Sequence, residues 1–474
     1  MPVKFKQPIP ISFSGGMVIL LYILLGASLL IPNGIYFLGS LIAIVVIIKL
    51  MWNIYNPGVL IFSYVFQWLQ VFFFLLWMNE LDRSVDGLSK NGGNALMLSL
   101  GGLVVMAFLT RLLLGKIQVF DMEDFKKSAS NIDQRKLLIL YVFSTLFLST
   151  IGFAFGNLSG FAQILVTISS LKWVFLLWLG AIIWVNKTHR IWLVFIIGYE
   201  FFIGLYSYFS SFKDVILYVI ILSLTFITVI QFKQFIRLVL IGLTLGVVLL
   251  VWSAVKGEYR VYLNKGNRQQ QVLVSRQEAL SKLGEQIGNL KYAEFQKAMI
   301  YSTYRLQYVY HFAMAMDKVP DFIPYQNGSV WGENIGFVLT PRALNPNKKQ
   351  YNASEKVSKF TGRKFAGLKE GSSFSLGYFG DSYIDFGPIG MMFALALIAL
   401  FTTIIFRVFY KMYHLNLLLR YAIINVSLFV FYTFEADGLF LFGRLLTDFI
   451  VFYLLAKFVF PRIQNWVTIR ASAF

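Results

Sequence analysis

The chain contains no cysteine, which excludes disulfides, thiolate metal sites and cysteine nucleophiles. Histidine is almost as scarce. His189, His311 and His414 lie far apart, so a histidine-based zinc or iron centre is not expected. Charge is thin as well: Asp, Glu, Lys and Arg make up 14% of the residues, where soluble domains average about 25%. Acidic side chains are the scarcer sign, 23 against 42 Lys and Arg, for a formal net charge of +19. No internal repeat and no low-complexity tract can be traced, which weakens an inverted-repeat transporter fold.

Apolar residues fill the chain instead, at 58%. Candidate spans lie near Phe13–Ile31, Tyr36–Met51, Gly58–Met78, Ala95–Leu114, Leu137–Phe155, Ala162–Val185, Ile191–Phe209, Val215–Phe232 and Phe235–Val255. Three more follow near Gly387–Tyr410, Leu417–Phe434 and Leu441–Phe460. Each approximates the roughly 20 residues that cross a bilayer core. Two-faced strand patterning is absent, so an all-α polytopic membrane protein of about 12 transmembrane helices is expected, not a β-barrel.

Lys and Arg set the expected orientation. With the N-terminus in the cytoplasm, the inner side receives Lys4, Lys6, the stretch from Arg111 to Lys136, Lys187, Arg190, Lys233 and Arg237. It also receives Arg407, Lys411, Arg420, Lys457, Arg462 and Arg470. The short outer loops receive only Arg83, Lys90 and Lys213. This asymmetry follows the positive-inside rule, places both termini in the cytoplasm, and accounts for most of the basic charge without a nucleic-acid partner. Met1–Pro10 is followed by no small-residue cleavage site, so the first apolar run is expected to be retained.

The apolar ladder is interrupted once. Residues 256–386 are polar and basic, between about nine helices in residues 1–255 and about three in residues 387–474. The orientation count puts this large loop domain outside. It carries Arg260, Arg268, Arg276, Arg305, Arg342, Lys348, Lys349, Arg363 and Lys364. A guanidinium binds phosphate through two parallel hydrogen bonds and stays charged, which suits a diphosphate. A basic surface against anionic lipid heads accounts for the same residues. Lys213 lies in a tight outer turn, and Arg444 follows Gly443 at the outer start of the last helix. Helix N-termini favour anions through free N–H groups and partial positive charge. These two helix starts, with the one after Gly387, are expected to converge on one anion.

Three further expectations concern single features. Lys172 and Glu200 fall inside consecutive predicted spans at similar depth, where an ion pair that orients the helices is expected; a proton pathway is the alternative. Leu273, Ala279, Leu280, Leu283, Ile287 and Leu290 recur at helical spacing, which predicts helix within Gln269–Tyr304. His311, in the aromatic stretch Tyr308–Phe312, is read as a packed histidine ahead of a base.

The second half of the loop reads Pro324-Tyr325-Gln326-Asn327-Gly328-Ser329, then Leu339-Thr340-Pro341-Arg342 and Asn345-Pro346-Asn347-Lys348. A Gly/Ser-rich stretch from Gly371 leads through Gly380-Asp381-Ser382-Tyr383 to Phe386-Gly387-Pro388. This order resembles the bacterial oligosaccharide repeat-unit polymerases of the Wzy type (O-antigen polymerases). There a Pro-Arg and a downstream Lys precede a Gly/Ser-rich stretch, and a Gly-acidic-x-Tyr element enters the next membrane helix. Asp381 stands where Glu is the more usual residue. The resemblance covers the long loop and the helix layout, not the whole chain.

The resemblance implies a GT-C-like glycosyltransferase at the outer face of the bacterial inner membrane. It would polymerise undecaprenyl-diphosphate-linked oligosaccharide repeat units into a surface polysaccharide. Donor, acceptor and membrane lipids are then the partners, with a chain-length regulator as a further candidate. No cofactor is expected, and no carboxylate metal motif is seen, so activity is expected to survive chelation. For the departing diphosphate the candidates are Arg305, Arg342, Lys213, Arg444, Arg260 and Lys348. Asp381 is the first candidate to accept the attacking hydroxyl's proton, with Glu333 and Asp385 behind it, although Asp381 after Gly380 equally fits a turn cap. Tyr378 and Tyr383 are candidates to stack on sugar rings or to anchor at the interface. An O-antigen ligase and a lipid-linked sugar transporter or flippase are the competing functions.

Overall fold

The computed structural model describes residues 5–155, 162–206, 212–266, 272–340, 345, 347–348, 351–367 and 373–469. In chain order the helices are α1 (Gly15–Ser28), α2 (Gly34–Met51), α3 (Val59–Glu80), α4 (Gly92–Leu114), α5 (Met122–Ser130), α6 (Gln134–Phe155) and α7 (Ala162–Ser169). There follow α8 (Leu171–Asn186), α9 (Arg190–Tyr206), α10 (Phe212–Phe226) and α11 (Phe232–Leu263). The insert between bundle segments holds α12 (Arg276–Gly288), α13 (Tyr292–Arg305), α14 (Tyr308–Met316), α15 (Ser329–Leu339) and α16 (Ala353–Thr361). Then come α17 (Gly377–Tyr410), α18 (Leu417–Ser427), a 3-10 turn at Phe429–Tyr432, α19 (Gly438–Phe458) and α20 (Phe460–Val467). Among the described residues, strands are confined to two short pairs. Phe5–Lys6 lies antiparallel to Ile117–Gln118, and Ser12–Phe13 parallel to Val229–Ile230.

The chain is an all-α protein with polytopic membrane character: seven helical stretches among the described residues are long and apolar enough to cross a bilayer. These are α2, α3, α4, the α7–α8 stretch Gln163–Asn186, α11, α17 and α19. Two of the other expected spans are shorter or broken. Phe13–Ile31 gives the 14-residue α1. Leu417–Phe434 gives the 11-residue α18 and then the 3-10 turn. Glutamines on α3 hold that turn: Gln67 donates to the Phe431 carbonyl at 2.6 Å, and the Gln70 carbonyl oxygen accepts the Phe434 N–H at 3.0 Å.

Two boundaries follow directly from local chemistry. The helix expected within Gln269–Tyr304 is two helices, because α12 ends at Gly288-Asn289 and α13 restarts with Glu294 accepting from the Lys291 amide at 3.0 Å. At its start, Ser275 and Glu278 cap α12 reciprocally. In α17 the helix breaks at Gly387, whose φ of 68° suits only glycine, and Pro388 restarts it. The expected domain edge at 386/387 is this break, but the chain is already helical from Gly377. α11 likewise runs past residue 255 to Leu263.

The insert does not stand apart. Val309, Phe312, Val330, Val357 and Phe360 are buried in the same apolar core as Val71, Leu103 and Leu395 of the bundle. A second, smaller cluster joins α10, α11 and α12 through Phe212, Trp252, Tyr259, Ala279 and Leu283. The insert therefore covers one end of the bundle, the end that carries the starts of α8, α10, α17 and α19.

Candidate functional site

Two polar clusters and one apolar groove meet at the insert end. The first cluster is a knot centred on Asp381. This carboxylate is fully buried. Lys356 Nζ from α16 lies 2.7 Å from its Oδ1, and its Oδ2 accepts from the Gly438 amide at 2.9 Å and from Asn334 Nδ2 at 3.2 Å. Lys356 also lies 3.6 Å from Asp437, which caps α19 by accepting from the Phe440 amide at 2.9 Å. Tyr351 donates to Asp437 at 2.6 Å. Burial alone lowers the Lys356 pKa; the Asp381 and Asp437 carboxylates outweigh it and hold the ammonium above the ordinary lysine range. Burial raises the Tyr351 phenol, so it stays a donor.

This geometry corrects the expected roles of several residues. Asp381 anchors helix starts and is sealed from solvent, with its oxygens engaged by Lys356, Gly438 and Asn334 instead of facing a sugar hydroxyl. Asp385 is buried too: it caps α15 by accepting from the Val330 and Trp331 amides at 3.0 and 2.8 Å. Tyr378 is fully buried and donates to Gln67, and Tyr383 is buried with its hydroxyl on the Val319 carbonyl. Neither ring offers a face to a sugar. Lys348 closes the carboxyl end of α15, donating to the carbonyls of Phe337 and Thr340 above the Phe337 ring. Glu333 is exposed on α15, beside the buried Asn334. Arg260 is half-buried near the end of α11. Arg342 and the side chain of Arg305 lie outside the described residues.

The second cluster is a belt of ionisable groups near the starts of α8, α10 and α19. Lys172 and Glu200 form the expected ion pair at 2.6 Å, and Tyr141 donates to the other Glu200 oxygen at 2.6 Å. Lys172 and Glu200 lie within electrostatic reach of Asp214, beside the exposed Lys213. Asp214, Arg444 and Asp448 all act on the Tyr218 hydroxyl. The Tyr218 ring is buried between Trp173 and Phe429. Lys213 and Arg444 are linked only indirectly, through Asp214 and the Tyr218 hydroxyl. Arg444 is paired, however: its Nε lies 3.0 Å from Asp448, which accepts from Thr167 at 2.6 Å. Asp214 and Glu435 both act on the Tyr432 hydroxyl.

Between them runs a groove of about 560 Å³, lined by Trp331, Gly332 and Ile335 of α15, Phe393 and Leu397 of α17, and Phe442 of α19 among others. Its described walls are almost wholly apolar. Trp331 ties it to the knot, donating from its indole to Ser382 at 3.1 Å. Leu441, Phe442 and Leu445 tie it to the belt, since they flank Arg444 on α19. Glycine sets the closeness of the wall: a Cβ on Gly438 would stand 2.8 Å from the Trp331 ring.

Sequence reasoning missed Lys356, Tyr351, Asp437, Glu435 and Gln70. The Asp437-Gly438 cap preceding an apolar run was the one local signal for any of them. His311 is packed as expected, with its ring against Tyr304, Tyr308, Tyr310 and Phe365. Among the described residues, no cluster of metal-ligating side chains occurs. No protein-family model, no curated protein and no solved structure matches the chain.

Proposed function

We propose that the protein polymerises lipid-diphosphate-linked oligosaccharide repeat units at the outer face of a bacterial inner membrane. In this reading the insert faces outward on a bundle of about 12 spans, and no metal takes part. The observation that carries the reading is the apolar groove beside Arg444, between two bilayer-length helices and the insert helix α15. An isoprenoid tail fits such a groove, and its diphosphate then lies at the start of α19. The Gly438 and Phe440 amides of α19 already serve Asp381 and Asp437, so the cations of this region favour the anion: Arg444, exchanging its Asp448 partner for the diphosphate, and the exposed Lys213. Leaving-group charge is thereby stabilised where it develops. Arg305 and Arg342 remain proposed contributors. His311 is buried among rings, which does not favour a ligase that uses an outer histidine as its base.

The test is direct. Purified protein incubated with a lipid-diphosphate-linked repeat unit yields a ladder of lengthened glycans, with or without EDTA. Single cysteines placed in the insert of this cysteine-free chain react with an impermeant maleimide from outside. Labelling from the cytosol only, or the absence of a ladder, ends the reading.

One observation favours a second reading. Lys172, Glu200, Asp214, Arg444 and Asp448 form an ionisable network among bundle helices, and intramembrane ionisable groups mark transport paths in many proteins. A flippase for lipid-linked sugars loses unit translocation in Glu200→Gln. A polymerase retains translocation and loses only chain length.

A further inference from the structure

We propose that Glu435 is the general base that takes the proton of the acceptor hydroxyl, an assignment that rests on the polymerase reading above. The carboxylates of the knot, the belt and α15 can be sorted by what already occupies them. Asp381 and Asp437 belong to the Lys356 knot, and Asp385 caps α15. Asp448 and Glu200 are ion-paired with Arg444 and Lys172. Glu333 is exposed on α15. Asp214 lies in the first turn of α10, where a carboxylate stabilises the helix start.

Glu435 differs from all of these. It is half-buried, and a group from another helix aims it. Gln70 of α3 is 7% exposed. Its amide cannot flip, because its carbonyl oxygen accepts the Phe434 N–H at 3.0 Å. Its NH2 therefore points at Glu435 Oε2 and donates to it. One turn earlier on the same helix, Gln67 fixes the Phe431 carbonyl at 2.6 Å. The segment that carries Glu435 is thus held on both sides. Among the described residues, no hydrogen bond or ion pair reaches the other carboxylate oxygen, Oε1. The Tyr432 hydroxyl lies within its electrostatic reach, and α19, with Arg444 in its second turn, starts three residues later at Gly438. A positioned, half-open carboxylate is what base-assisted attack on the donor sugar needs.

The step balances within these groups. The acceptor oxygen forms a bond to C1 of the donor sugar while its proton passes to Glu435. The C1–O bond to the diphosphate breaks, and its electron pair leaves on the diphosphate oxygen. Glu435 then releases the proton to water.

The experiment compares wild type, Glu435→Gln and Glu435→Ala as purified full chains acting on a lipid-diphosphate-linked repeat unit. Glu435→Gln is expected to lose about 100- to 10,000-fold in kcat, in the range of general-base removal, with KM changed by a few-fold at most. Glu435→Ala is expected to regain rate with added formate, which a purely structural residue does not permit. A wild-type ladder with Glu435→Gln retaining half its rate or more overturns the assignment and leaves the polymerase reading standing. A wild-type ladder with Glu435→Gln inactive but no formate rescue of Glu435→Ala also overturns it, in favour of a structural role. A wild type that makes no ladder overturns both.

Discussion

Lys356 Nζ stands 2.7 Å from Asp381 Oδ1 and 3.6 Å from Asp437 Oδ2, so one ammonium on α16 joins carboxylates at the starts of α17 and α19. Two buried carboxylates without that cation repel each other and lose their charge compensation. Lys356→Met is therefore expected to destabilise the folded protein by about 3–5 kcal/mol. Thermal unfolding in detergent measures this, and adding Asp381→Asn should return part of the loss. The knot's pH dependence has a definite sign. Because the folded ammonium sits above its ordinary value, its stabilisation is complete below the ordinary lysine range and fades only as pH climbs through the raised value. An unchanged melting temperature in Lys356→Met rules out this account.

His311 supplies the opposite pH behaviour. Burial, with Arg363 adding to it, pushes its pKa down to about 4. The unfolded chain then binds the proton first, so stability is full above the ordinary histidine value and declines as pH falls towards 4. The decline approaches about 3 kcal/mol. His311→Phe should flatten the melting temperature between pH 7 and pH 4.5. Parallel slopes in the two proteins contradict the assignment.

Gly332 permits a clean test of the groove. It is exposed, lines the groove, and a Cβ there meets nothing within 4 Å. Gly332→Phe should leave the fold intact, since it also replaces a helix-interior glycine, a gain of about 0.5 kcal/mol in helix propensity. Its ring should enter the groove and reduce both polymer formation and photo-crosslinking by an isoprenoid probe. Undiminished crosslinking places the lipid elsewhere.

Gly438 is the converse case. A Cβ there meets Trp331 at 2.8 Å and Asn334 Nδ2 at 2.9 Å. Gly438→Ala should cost about 1–3 kcal/mol by overpacking, visible as a lower melting temperature. A neutral result means that α15 and α19 can move apart freely.

How much of this was legible in the sequence depends on the distance over which each feature is decided. Seven of the expected spans were readable because crossing a bilayer needs one contiguous apolar stretch. The Lys172–Glu200 pair was readable because ionised groups at that depth have few partners available. The break at Gly387-Pro388 was written in the two residues themselves. Asp381 was put first as a base for the same reason that it was noticed. An acidic residue after a glycine looks like a loop carboxylate, and nothing nearby in sequence announces the lysine that buries it.

Composition and local order therefore determined an all-α chain of polytopic membrane character and where its long apolar helices run. Only the tertiary structure decided which charged residues are available for chemistry. Availability is set by partners brought from far along the chain: Lys356 for Asp381, Asp448 for Arg444, Gln70 for Glu435. A carboxylate's hydration, orientation and charge compensation are properties of those packed neighbours, and sequence spacing does not encode them.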